Sequence, residues 1–167
     1  MTAPMTAKPQ DLDPSTKAID GMAFDPLSLD LQLCFALYTA NNLVTRLYWP
    51  LLKPLGVTYL QYIALLALWE QSPRTVGDLG KRMNLDSGTL TPLFKRLEGL
   101  GLVTRTRDPE DERRVLIDLT PKAHALRQEA LSVPPSVFSQ LPMPLEDMVR
   151  LKALLGQVID GLQDKQG

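Results

Sequence analysis

The chain has 167 residues, 44% apolar and 22% charged, with a formal net charge of −1. That length suits one domain with a real core, and a near-neutral total gives by itself no hint of nucleic acid. With one cysteine and one histidine, an internal disulfide is excluded and a protein-only zinc site is disfavoured, so no metal and no cofactor is expected. The odd free thiol points to a reducing compartment, and the chain is read as cytoplasmic. The N-terminus lacks the apolar stretch of a signal peptide, and no run approaches the roughly 18–20 apolar residues of a membrane span.

Charge is unevenly distributed. From Arg74 to Arg114 there are nine Lys/Arg against seven Asp/Glu, whereas residues 1–30 carry two Lys against five Asp. Residues 1–24 are rich in Pro, Asp, Thr and Ala, show no period, and read as a mobile tail ahead of one domain over 25–167. Leu33, Leu37, Ala40, Val44, Leu47 and Leu51 recur every three to four residues, which predicts a long helix. Asp25–Pro26 is its start signal, and Pro50, Pro54 and Gly56 end or kink it.

Thr58 with Gln61 forms a capping box for a second helix, Tyr59 to about Glu70, apolar nearly all round and therefore buried. Thr75 with Asp78 forms another for a short helix, Val76 to about Met83. Asp86 or Ser87 begins a fourth, with Leu90, Leu93, Phe94, Leu97 and Leu100 on one face and Gly101 as its stop. Pro92 lies beyond its first turn and predicts an irregular start. Leu102–Thr106 and Arg114–Leu119 read as two strands of a hairpin with the charged tip RDPEDER. Thr120–Pro121 caps a fifth helix to about Ser132. Pro134, Pro135, Pro142 and Pro144 then break the chain before a last helix, about Leu145–Leu162, whose seam is Met148, Leu151, Leu155, Val158 and Leu162.

The expected fold is mainly α with a small β-hairpin (α+β). A winged helix-turn-helix spans about 58–120, and helices at about 27–50 and 121–163 carry unpartnered apolar seams that suggest a dimerisation module. A helix that enters a major groove needs an apolar docking face and a polar face of short side chains. The fourth helix offers Ser87, Thr89, Thr91, Lys95 and Arg96 outside its apolar face, and the hairpin adds Arg105, Arg107, Arg113 and Arg114. Ser and Thr can contact base edges or phosphates, and Lys and Arg bind phosphate. For any one of these elements, a solvated amphipathic helix or charged turn is the plainer alternative.

The second candidate is Cys34. Tyr38 follows one helical turn later, Tyr48 about four turns later, and Tyr59 opens the next helix. Phenol hydroxyls that donate to sulfur stabilise the thiolate, the form that reacts with oxidants. Tyr48 is 14 residues from Cys34, about 21 Å along a straight helix, so it can reach that sulfur only from a second copy of the chain. The alternative is a buried, inert cysteine, since Cys packs well as a small hydrophobe.

The run LDSGTLTPLFKRLEGLGLVTRTRDPEDERRVLIDLTPKA resembles the winged helix of MarR-type transcriptional regulators, and DERRVLIDLT resembles that family's wing. Leu33–Glu70 is similar to the organic-hydroperoxide-sensing, OhrR-type branch of single-cysteine class. The resemblance covers roughly Leu27–Leu162. It implies a homodimeric repressor, not an enzyme, that binds double-stranded DNA at a pseudo-palindromic operator. It makes Cys34 the redox sensor, supported by Tyr38, Tyr48 and Tyr59, with an organic hydroperoxide as inducer. Arg113 becomes the wing-tip arginine for the minor groove and Asp111 the acidic residue that braces the turn. With no second cysteine, oxidation runs to sulfenic acid and then to a mixed disulfide with a small-molecule thiol, or to over-oxidation. Apolar neighbours Phe35, Leu37 and Trp49 favour greasy peroxides. The rivals are a MarR-type repressor responding to a small aromatic ligand, a thiol peroxidase acting at Cys34, and an architectural DNA-binding protein.

Overall fold

The computed structural model describes residues 25–165, together with the backbone of 18–19 and 22–23. Those two short pieces pair antiparallel as strands β1 (Ala18–Ile19) and β2 (Met22–Ala23). The rest of 1–24, read above as a mobile tail, lies outside the described residues. The chain forms two compact units, one ending at Arg46 and the other beginning at Leu47.

In the first unit the long helix starts later than the sequence suggests. Asp25 accepts the Leu27 N–H at 2.9 Å through its carboxylate, and its carbonyl accepts the Ser28 N–H at 3.0 Å. Asp25–Pro26 therefore makes an Asx-type turn instead of a helix cap. A 3-10 turn over Leu29–Leu31 follows, and helix α1 runs Leu33–Leu52. Pro50 lies inside α1 and does not end it. The terminator is Gly56, at φ +67°. Gly56 donates to the Lys53 carbonyl at 3.1 Å and Val57 to Leu52 at 3.4 Å, the paired bonds of a Schellman stop.

The second unit is built on α2 (Tyr59–Glu70), α3 (Val76–Met83), α4 (Ser87–Gly99) and a sheet. The Thr58–Gln61 capping box forms with both reciprocal bonds. At α3 only half of the expected box exists. Thr75 Oγ1 accepts the Asp78 N–H at 3.0 Å, but the Asp78 carboxylate takes the Thr75 hydroxyl at 2.7 Å instead of the backbone N–H. The Thr75 backbone is engaged elsewhere, because Arg74–Thr75 forms strand β3 against β5 (Val115–Leu119). With β4 (Val103–Arg107) the sheet is three-stranded and antiparallel in the order β3-β5-β4. The sequence pattern marks only the hairpin, since a two-residue strand is defined by its partner and not by its own pattern.

Pro92 sits inside a continuous α4, so the expected irregular start is absent. Two helix stops set the path around α4. Asn84 takes the left-handed conformation at φ 52° to end α3, and Gly101 at φ +69° ends α4. Leu102 donates to Leu97 at 3.0 Å and Gly101 to Glu98 at 2.8 Å, again the Schellman pattern. Gly80 of α3 is closed in by the turn that leads to α4 and by a side chain of α4. A Cβ there would lie 2.9 Å from the Leu85 carbonyl oxygen and 3.1 Å from Leu90 Cδ1.

The core of this unit joins Leu65 and Leu68 of α2, Leu79 of α3, Leu90, Phe94 and Leu97 of α4, and Ile117 of β5, all fully buried. Thr120 caps α5 (Pro121–Ala130), accepting the Ala123 N–H and donating to the Gly101 carbonyl at 2.7 Å. Pro134 and Pro135, expected to break the chain, instead open a short helix α6 (Val133–Phe138), because first-turn residues need no N–H partner. Helix α7 (Leu145–Gln163) buries no residue, and Leu145, Val149, Leu154, Ile159 and Leu162 are all more than half exposed. Within the expected seam, Leu151, Val158 and Leu162 are exposed, while Met148 and Leu155 are half-buried.

Candidate functional site

Two sets of side chains carry chemistry. Cys34 is the second residue of α1 and is exposed. It lies in the helix's first turn, where the Phe35 and Ala36 N–H groups donate to the Gln32 carbonyl at 3.1 and 3.3 Å. Tyr38, one turn on, is also exposed, as are Leu33, Phe35 and Leu37 around it. The chemical group is thus presented on an apolar, uncovered stretch of helix.

In the second unit, the Tyr48 and Tyr59 rings pack at a tilt of 51° with centroids 4.8 Å apart. Tyr62, fully buried on α2, lies 5.9 Å from Tyr48 and 6.4 Å from Trp69. Trp69 donates its indole N–H to the Ala123 carbonyl at 3.1 Å. Burial pushes the phenols of Tyr48, Tyr59 and Tyr62 above their ordinary value, and at Tyr48 and Tyr62 neighbouring phenols add to it. All three therefore stay protonated at neutral pH as hydrogen-bond donors. Sequence reasoning missed Tyr62, because α2 is apolar nearly all round and one more aromatic there gave no signal.

On α4, Asp86 caps the helix. It accepts the Thr89 N–H at 2.9 Å and the Thr89 hydroxyl at 3.1 Å, and these bonds hold its carboxyl below the usual value. Thr89 is thereby tied down and half-buried, whereas Ser87, Thr91, Lys95 and Arg96 are exposed on the outer face. Thr91 turns its hydroxyl back to the Ser87 carbonyl at 2.8 Å.

The hairpin arginines occupy four different environments. Arg113 is 91% exposed at the tip, its Nε 3.1 Å from Asp111 Oδ1. Asp111 also accepts the Arg113 N–H, and the Arg113 side chain followed by that N–H holds its carboxyl low. Asp111 thus bonds both the backbone and the side chain of the tip arginine. Arg107 donates to the Glu112 carbonyl at 2.9 Å. Arg105 lies half-buried on β4, 3.5 Å from Glu98, with its Nε buried and unpartnered. Arg114 pairs with Asp108 at 3.1 Å, and Asp108 is buried. Neither that pairing nor the burial of Asp108 was visible in the sequence.

The start of α3, the outer face of α4 and the hairpin meet at a cleft of about 390 Å³, lined by Thr75, Gly77, Thr91, Arg105, Arg113 and Arg114. Three guanidinium groups beside a helix N-terminus suit an anion such as a backbone phosphate. A separate cleft of about 320 Å³ lies against Tyr62, Leu66, Trp69, Arg127, Leu131 and Pro134. Among the described residues, no group of His, Cys, Asp and Glu could hold a metal ion, and no helix is long and apolar enough to cross a membrane.

Comparison with known proteins places this geometry. The MarR family pattern matches residues 57–115, the stretch from Val57 through the start of β5. The organic hydroperoxide resistance transcriptional regulator of Bacillus subtilis (strain 168) is 44% identical over 142 residues, covering 85% of this chain and 97% of that protein. The solved structure of reduced AbfR bound to DNA matches with a TM-score of 0.70 and 35% identity, over 83% of this chain and 95% of that one. Overoxidized AbfR bound to DNA matches with a TM-score of 0.66 and 37% identity, over 80% and 94%. A winged helix-turn-helix followed by a basic hairpin, matched along nearly the whole length of a regulator, makes this chain a member of the MarR family.

Proposed function

We propose that the chain is a homodimeric, DNA-binding transcriptional repressor that senses organic hydroperoxides through Cys34 and releases its operator on oxidation. The observation that carries this reading is the match to the hydroperoxide-resistance regulator along almost its whole length. The lone cysteine with its tyrosines agrees with it.

In the reduced dimer, Cys34 is held as thiolate by phenol O–H donors. Tyr38 is its neighbour in the same chain, and Tyr48 and Tyr59 reach it from the second copy. Because the Tyr48 and Tyr59 phenols stay protonated, they donate to sulfur without adding negative charge beside it. The thiolate sulfur attacks the terminal oxygen of the hydroperoxide. An S–O bond forms, the O–O bond breaks, and an alcohol leaves after taking up a proton. The sulfenic acid then condenses with a small-molecule thiol to a mixed disulfide, releasing water, or is oxidised further by excess peroxide. Each chain reacts once per cycle, so this is a switch and not an enzyme, and a cytoplasmic setting keeps the thiol reduced beforehand.

For DNA, α4 enters the major groove with Ser87, Thr89, Thr91, Lys95 and Arg96, and the hairpin follows the adjacent backbone and minor groove. Arg113 is its most exposed charge, braced by Asp111 alone, and it meets the duplex with Arg105 and Arg107 beside it, while Arg114 lines the same cleft and holds the loop. Two such heads read a pseudo-palindrome with half-sites about one helical turn apart.

The deciding experiment is a gel shift on DNA from the promoter of a hydroperoxide-detoxifying gene, with wild type and Cys34→Ser. Both should bind, and only wild type should release on adding cumene hydroperoxide, with a Cys34 adduct visible by mass spectrometry when a small thiol is present. Release of the serine variant by peroxide defeats the sensor reading. The cleft beside Tyr62 and Trp69 favours a second reading, a repressor that answers a small aromatic ligand. Release of Cys34→Ser by phenolic acids alone would decide for it.

A further inference from the structure

We infer that Asp108 is a positioning residue for DNA binding: with Arg114 it forms a clasp at the base of the hairpin tip that holds Arg113 in reach of the duplex. The inference rests on the proposed DNA-binding role of the wing. Residues 108–114 leave the sheet where Arg107 pairs with Val115, and both ends of that segment are tied through Asp108. Its N–H donates to the Arg114 carbonyl at 3.0 Å. One carboxylate oxygen accepts the Glu110 N–H at 3.0 Å, and the other lies 3.1 Å from Arg114 Nε. The Arg114 N–H in turn donates to the Asp111 carbonyl at 2.8 Å. A loop carboxylate with a side chain only 10% exposed, beside a guanidinium that is 46% exposed, is not a solvated surface charge.

Chemistry divides the two adjacent arginines. The Arg114 guanidinium faces carboxylates of its own loop, at Asp108 and, at 3.8–3.9 Å, Asp111 and Glu110. Arg113 has only Asp111 and is otherwise in water. Arg114 is therefore committed to loop shape, and Arg113 carries the charge that meets DNA. An unclasped seven-residue loop samples many conformations, and binding must then offset the entropy of ordering it.

The sign of the Asp108→Asn effect separates this role from plain electrostatics. Removing a negative charge from a DNA-facing surface should tighten binding or leave it unchanged. A lost clasp should weaken it, by about tenfold, the scale of one charge-assisted contact. The experiment measures operator affinity against salt for wild type, Asp108→Asn, Arg113→Ala and the double variant, with thermal melts to confirm folding. The expected result is that Asp108→Asn binds about tenfold more weakly, that its salt dependence is shallower by about one phosphate contact, and that Arg113→Ala costs little more in its background. Asp108→Glu should recover part of the loss. Equal or tighter binding by a folded Asp108→Asn, or full additivity with Arg113→Ala, overturns the clasp while leaving the repressor reading intact. Absence of operator binding by the reduced wild type would instead overturn the repressor reading.

Discussion

Tyr62 shows how one side chain ties packing to chemistry. Its ring fills the space between Tyr48 and Trp69, and burial raises its phenol above the ordinary value of 10.0, as it does at Tyr48 and Tyr59. A raised value means the folded state favours the neutral form more than the unfolded state does. The stabilisation is fully present below about pH 10 and is lost as pH rises through the raised values. Melting temperature should therefore fall on the alkaline side. Tyr62→Phe should reduce that fall while changing the neutral-pH melt little, as circular dichroism melts across pH would show; an unchanged alkaline slope would assign the loss to other groups. At this scale the sequence was informative where the meaning is local. Arg113 followed the charged tip, and Asp111 stood two residues before it. Asp108 and Tyr62 went unnoticed because burial of a loop carboxylate, or of one more aromatic in an apolar helix, is decided by distant parts of the chain.

Among the elements, caps were the most legible features. Thr58, Asp86 and Thr120 act where their spacing said they would, since a cap is a bond to the third residue along. The errors have a common physical origin. Pro26 and Pro134 were read by residue type, but a proline's effect depends on whether its missing N–H was needed. β3 was missed because two residues become a strand only through β5. The α3–α4 junction permits a sharp prediction. Gly80→Ala gains about 1 kcal/mol in helix propensity, yet its methyl meets the Leu85 carbonyl oxygen at 2.9 Å, and backbone cannot swing aside as a side chain can. Overpacking typically costs about 1–3 kcal/mol, so the variant should be net destabilised, seen as a lower urea midpoint. A stabilised variant would mean the two helices separate easily.

For the whole molecule, the large unsatisfied quantity is apolar surface. Leu33, Leu37 and Leu43 on α1 and Leu145, Val149, Leu154, Ile159 and Leu162 on α7 are exposed to water, and patches of this kind mark interaction surfaces. Burying a large aliphatic side chain contributes about 1.5–3 kcal/mol, so a few of them sustain the proposed dimer. Replacing Leu154 and Val158 together by Glu should shift sedimentation toward monomer and weaken operator binding, because the two heads then bind without being linked. A doubly charged variant that stays dimeric would place the interface elsewhere.

The row of rings from Tyr59 through Tyr48 and Tyr62 to Trp69, each pair within 4.8–6.4 Å, also makes the protein its own optical probe. Light absorbed by the phenols passes by dipole coupling to the nearby indole, which emits in their place. Excitation at tyrosine wavelengths should yield mainly tryptophan fluorescence from the native chain and free phenol emission once denaturant parts the rings, so the packing around Tyr48 can be followed without attaching a dye.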